Sequence, residues 1–123
     1  MSFSSLMGPG AKNACLSAIV VLLFAGFAPT STATPTAQQI IKAKGCGACH
    51  RIPGIAGAMG RIGPSLKGLR DRPRIASGRL ENTDENLRDW LKNPKGIQTE
   101  TMMPNLGLED SEIEILIAFL KTL

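Results

Sequence analysis

Cys46-Gly47-Ala48-Cys49-His50 sets the terms for any fold this chain can adopt. Two cysteines separated by two residues put both sulfurs along one side of a single helical turn, and a histidine follows at once. Each thiol can then add across one vinyl group of a porphyrin, with the imidazole of His50 directed at the iron as proximal ligand. The pattern is that of covalent c-type haem attachment. Small Gly47 and Ala48 let the backbone lie close against the ring edge. His50 is the only histidine in the chain, so any other role would have to claim this one residue. A thioredoxin-like redox pair, a zinc half-site and a disulfide are the competing readings. The first needs a βαβ setting, and no alternating strand pattern flanks Cys46. A closed zinc site needs four ligands, whereas Cys46, Cys49 and His50 are the only ones clustered here.

A length of 123 residues supports one small domain. Aromatic residues are scarce, with one Trp, four Phe and no Tyr. Three of the phenylalanines, Phe3, Phe24 and Phe27, fall in the N-terminal segment. Trp90 and Phe119 are the large aromatic groups left for the rest. A domain this short has difficulty burying enough apolar surface by itself, and a covalently held porphyrin would supply the missing core.

The N-terminal 33 residues read as a secretory signal peptide: a start with one charge, Lys12, an apolar run from Ala14 to Ala28, and small residues Thr30-Ser31-Thr32-Ala33. The run is shorter than the roughly 20 residues a membrane span needs. Cleavage is expected after Ala33, giving a mature domain over residues 34–123. Retention as an anchor is the alternative. Cys15 reads as a small apolar residue of the signal.

Beyond Pro35, Ala37 to Lys44 reads as a helix with Ile40 and Ile41 apolar and Lys42 and Lys44 solvated. Residues 51–63 are rich in Gly, Pro and Ala and read as loop. The next helix opens at Asn82-Thr83-Asp84-Glu85 with Thr83 as N-cap, carries Leu87, Trp90 and Leu91 at helical spacing, and stops at Asn93-Pro94. Lys95 to Thr101 reads as loop. Pro104 and Gly107 forbid a regular helix around Met102 and Met103. A final helix from near Asp110 presents Ile113, Leu116, Ile117 and Leu120 on one stripe. No strand pattern is visible, so the class is all-α.

These residues resemble the monohaem class I cytochromes c, particularly the haem-c domains associated with bacterial terminal oxidase subunit II. The resemblance runs from about Ala37 to Leu123. It rests on Gly45 to His50, Gly63-Pro64-Ser65-Leu66, Asn82-Thr83 with Leu87, Trp90-Leu91 and Asn93-Pro94, then Met103-Pro104 and Ala118-Phe119-Leu120. It implies a small cytochrome c fold of three to four helices and loops around one covalent haem c. It implies His50 and Met103 as axial ligands, with Met102 and Met59 as alternatives to Met103. The Pro64 carbonyl would accept from the second nitrogen of His50. Arg72 and Thr101 would meet the haem propionates, with Arg70 and Arg74 as substitutes for Arg72, and Trp90 would lie near the axial sulfur. Phe119 stands where the family usually has tyrosine.

The charge is uneven along the chain. Nine basic residues lie between Lys42 and Arg79 against one acid, Asp71, whereas the C-terminal segment is acidic. Nucleic-acid binding is disfavoured, because no aromatics are interleaved for stacking. The expected function is a monomeric, periplasmic one-electron carrier, not an enzyme, that docks on acidic surfaces of redox proteins such as a membrane oxidase or reductase. An oxidase subunit anchored by its N-terminus shares the chemistry but differs in partner. A haem peroxidase or gas sensor is a third reading, and no distal histidine or other general acid is available for it.

Overall fold

The computed structural model describes residues 33–123, so the signal-peptide reading falls outside the described residues apart from Ala33. The first helix, α1 (Ala37–Ala43), starts where Thr36 builds a capping box. Thr36 Oγ1 accepts from Gln39 N at 3.3 Å, and Gln39 Oε1 accepts from Thr36 N at 2.8 Å. Ile40 and Ile41 are each 2 % exposed and form the inner face of this helix. The chain reverses at Gly45 and winds one further turn, α2 (Cys46–Cys49), before His50 leaves it in an extended conformation.

Residues 51–68 form no regular element beyond an isolated bridge between Arg51 and Met59, and a 3₁₀ turn follows at Leu69–Asp71. A hairpin then appears that the sequence does not announce. Arg74–Ile75 (β1) pairs antiparallel with Leu80–Glu81 (β2), in the register Arg74 to Glu81 and Ile75 to Leu80. Strands of two residues are too short to write an alternation into the sequence. Side chains hold this region together: Arg74 Nε donates to Gly78 O at 2.6 Å, and Asn82 Nδ2 donates to Leu69 O at 2.8 Å and to Arg72 O at 2.9 Å.

Helix α3 (Asp84–Lys92) is capped by Thr83, whose hydroxyl accepts from Asn86 N at 3.2 Å, with Asp84 and Glu85 in its first turn and Lys92 in its last. The stretch after it corrects the sequence reading. Pro94–Ile97 is a helical turn, α4, not loop. Asn93 starts it, accepting from Gly96 N at 3.0 Å through Oδ1, and Pro94 occupies the first helical position, where its missing N–H costs nothing. Helix α5 (Asp110–Leu120) opens on a second capping box, made by Glu109 and Glu112.

Helices α1 and α3 both pack on α5. Ile113 is fully buried, and Leu116, Ile117 and Leu120 extend its stripe against Ile40, Ile41, Leu87 and Leu91. Phe119 packs half-buried on the same core. Five ion pairs form among the described residues. Three of them staple α3 to α5 or its end: Arg88 to Glu114, Lys92 to Asp110, and Lys121 to Asp84. Among the described residues the architecture is three helices of seven to eleven residues, two single α-turns, two 3₁₀ turns and a minimal hairpin, the rest being loop. No helix among the described residues is long and apolar enough to cross a membrane.

Candidate functional site

The single turn α2 carries the two thiols on a backbone that leans on the following loop. Gly47 O accepts from Gly60 N at 3.0 Å, and Gly63 N donates to Cys49 O at 2.8 Å. A Cβ at Gly47 would stand 2.8 Å from the Cα of Ala58. The smallness of Gly47 therefore also serves the loop packed behind it. Cys46 and Cys49 are free thiols, both half-buried. Burial pushes the Cys46 thiol up, against a backbone hydrogen bond that lowers it, and Cys49 adds a smaller upward push. No group of three or more His, Cys, Asp or Glu side chains among the described residues is placed to hold a metal ion.

His50 is fixed from two sides. Its Nδ1 lies 2.8 Å from the carbonyl oxygen of Pro64. A carbonyl can only accept, so Nδ1 carries the proton and Nε2 presents its lone pair. Gly63 closes over the ring, where an added Cβ would stand 2.7 Å from Nδ1 and 2.9 Å from Nε2. Only glycine leaves the imidazole this orientation. The sequence motif contains Gly63, but its role becomes visible only with the ring in place.

Two adjoining cavities, of about 400 and 330 Å³, open in front of this imidazole. Cys46, His50, Pro64, Trp90 and Met103 line both, so they are parts of one crevice. Cys49 and Thr101 line the outer part and Arg72 the inner part. All eight residues singled out in the sequence thus border one space. The inner part is walled by Ile41, Ile52, Leu66, Leu69, Leu87 and Leu116, whereas the outer part meets Gln98, Glu100 and Thr101. Gln98 Oε1 is buried there with no hydrogen-bond partner. An apolar floor with polar groups at the mouth, two adjacent thiols and an oriented imidazole is a donor set that fits a large, flat, covalently held porphyrin.

The three candidate methionines differ sharply. Met103 is half-buried and packs against the core beside the crevice. Met102 borders the outer part but is 78 % exposed, and Met59 is 63 % exposed and borders neither. The backbone of Met103 is held by Thr101, whose Oγ1 accepts from Met103 N at 3.2 Å. Arg72 is only half-exposed and donates to Ser65 O at 2.6 Å and Lys67 O at 2.9 Å, tying the loop after Pro64. Arg70 points elsewhere, to Asp71 at 3.4 Å. Arg74 braces the turn of the hairpin, where Ala76 and Ser77 adopt φ of 51° and 55° at the crevice wall. That strain is held in place by the hydrogen bonds across it.

Lys44 is the residue that sequence reasoning misplaced. It does not stand in solvent: its Nζ donates to Gly107 O at 3.0 Å and pairs with Glu112 at 3.1 Å, and it borders the outer crevice. A lysine one step past the last turn of an amphipathic helix gives no sign of a partner 63 positions away.

The family described as Cytochrome c matches residues 36–123. Cytochrome c oxidase subunit 2 of Alkalihalophilus pseudofirmus is 33% identical over 96 residues, covering 77% of this chain and 27% of that protein. The subunit 2 of Bacillus subtilis is 33% identical over 90 residues, 70% of this chain and 25% of that protein. Cytochrome c2 of Afifella marina is 33% identical over 92 residues, 63% of this chain and 73% of that protein. The chain thus spans about a quarter of the length of the oxidase subunits it matches. No solved structure matches it significantly. The attachment turn, the oriented imidazole and the apolar crevice agree with the family match, and the chain belongs to the cytochrome c family as a class I member.

Proposed function

We propose that the chain is a one-electron carrier with a single haem c joined to Cys46 and Cys49 and ligated axially by His50 and Met103. The observation that carries this reading is the crevice that both His50 and Met103 border, with the two thiols at its edge. When bound there, the haem supplies an iron that cycles between ferrous and ferric states. His50 offers Nε2 because Pro64 holds the proton on Nδ1. Met103 offers a soft thioether from a loop that Pro104 restricts to extended backbone. With both axial positions taken by side chains, no open position is left for a substrate, which favours transfer over catalysis. The cationic Arg72 and the hydroxyl of Thr101 suit the propionates, and Trp90 lines both parts of the crevice with Met103.

The charge pattern supports a choice of partner. Of the nine basic residues from Lys42 to Arg79, only Lys44 and Arg70 form ion pairs among the described residues. Apart from Arg72 in the crevice, the other six leave an uncompensated positive charge suited to the acidic docking surface of a membrane oxidase or reductase. The oxidase subunits among the relatives favour an oxidase. Removal of residues 1–33 would take one positive charge, Lys12, and release the domain 34–123 as a periplasmic monomer. Retention would tether it to the membrane as an oxidase-associated subunit. Electron exchange between the haem-loaded protein and an acidic redox protein should slow steeply as salt rises from about 50 to 500 mM. A rate flat with salt would remove the docking argument, and rapid turnover of hydrogen peroxide would replace the carrier with an enzyme.

A further inference from the structure

The segment that follows Met103 is held to the protein by very little. Among the described residues, no backbone-to-backbone hydrogen bond involves Met102 to Leu108. Its polar anchors are two side chains. Thr101 Oγ1 accepts from Met103 N at one end, and Lys44 Nζ donates to Gly107 O at the other. Leu108 adds a buried apolar contact just beyond.

Lys44 is unlike the other surface cations. Its side chain is 23% exposed and that of its partner Glu112 19%, whereas the next most sheltered pair, Arg88 with Glu114, stands at 37% and 55%. A pair withdrawn from water is screened less and is worth more than an exposed one. Glu112 is itself fixed, because its Oε2 also accepts from Glu109 N at 2.9 Å in the capping box that starts α5. That backbone bond, with Lys44 second, holds the Glu112 carboxyl below its ordinary range, so it is charged at neutral pH. Lys44 caps α1 and stands two residues before Cys46, and Gly107 lies four residues after Met103. One ammonium group therefore joins α1, the start of α5 and the Met103 segment, across the mouth of the crevice.

We propose that Lys44 is a positioning residue for the axial sulfur: by gripping the Gly107 carbonyl from an anchor on Glu112, it keeps the Met103 segment closed over the iron. The inference rests on the reading of Met103 as axial ligand. Without the grip, the segment opens more often and an outside ligand reaches the iron more often. Thr101 alone then holds the polar contacts of the segment.

The test is the rate at which cyanide binds the ferric, haem-loaded protein, with the far-red iron–thioether band followed alongside. Lys44→Met removes the ammonium and keeps most of the stem. It should accelerate cyanide binding about tenfold, the ratio expected for one lost charge-assisted hydrogen bond. Lys44→Arg should restore a rate within about twofold of the parent, since a guanidinium can meet both oxygens. Lys121→Met, which breaks the pair between α5 and Asp84, should lower stability and leave the cyanide rate unchanged. A parent-like rate in Lys44→Met overturns the proposal. So does an equal acceleration in Lys121→Met, which would mean that general loosening is sufficient. Met103→Ala separates the two levels. If it binds cyanide fast while the parent and Lys44→Met are both slow, the latch fails and the ligand reading stands. If the parent is already as fast as Met103→Ala, both fail together.

Discussion

The helical side of this molecule and its loop side solve different problems. Helices α1, α3 and α5 hold a continuous apolar seam, and the charges along α3 and α5 are largely paired across to a neighbour. Residues 51–79 and 98–107 have little regular structure and several contacts that only one residue type can make, and six cations of the first stretch have no ion pair among the described residues. On the first side, stability is spread over many interchangeable contacts. On the second, function is concentrated in a few positions, and the two should respond to mutation in opposite ways.

The largest effect should come from the attachment turn α2, on which the loop side packs. In the double variant Cys46→Ala, Cys49→Ala, no haem should remain with the chain under denaturing electrophoresis with haem staining. Covalent haem in that variant would mean that another residue makes the attachment. On the helical side, Ile113→Ala empties the most buried position of the seam. It should cost about 2–4 kcal/mol of unfolding free energy by denaturant titration of the haem-loaded protein, while the visible spectrum at room temperature stays that of the parent. A changed axial spectrum in that variant would blur the division between the two sides.

Gly63→Ala should do the reverse. Its new Cβ meets the His50 ring, so the imidazole must turn or the Pro64 contact must lengthen. A cost of about 1–3 kcal/mol is expected for such overpacking, together with a shift in reduction potential that Ile113→Ala lacks. An unshifted potential would show that the loop gives way instead of the ring.

Acid should weaken the helical side by a smaller, gradual amount. The carboxyls of Asp110 and Glu114 are held below their ordinary range, first by side-chain hydrogen bonds from Lys92 and Arg88 respectively. Groups with depressed values in the folded state contribute stability above their unfolded values and lose it as pH falls through the folded ones. Stability should therefore be flat near neutrality and decline below about pH 4. In Lys92→Met with Arg88→Met the decline should be shallower. An identical slope would show that these exposed pairs contribute nothing measurable.

The same division explains what could be read from the sequence. The helical side is written in periodicity and one cap: the Ile40-Ile41 pair, Thr83 and the Ile113 to Leu120 stripe mark their elements to within a residue. The attachment turn is legible because its chemistry fixes the spacing of Cys46, Cys49 and His50. What escapes is carried by single residues acting over distance. The hairpin at Arg74 is too short to show a period, and α4 hides behind Asn93-Pro94, which ends one helix and starts another. Gly63 and Lys44 owe their roles to groups brought beside them only by folding. Lys44 looks solvated in the sequence because nothing local names Gly107 or Glu112.

The far-red absorbance of the ferric, haem-loaded protein decides whether Met103 is the second axial ligand, as proposed. Met103 is half-buried at the crevice and Met102 is 78% exposed, although both border the outer cavity. The iron–thioether band should be present in the parent and in Met102→Ala. It should be absent in Met103→Ala, which should also bind carbon monoxide readily once reduced. A band that survives Met103→Ala and vanishes in Met102→Ala would contradict the account and move the ligand one residue.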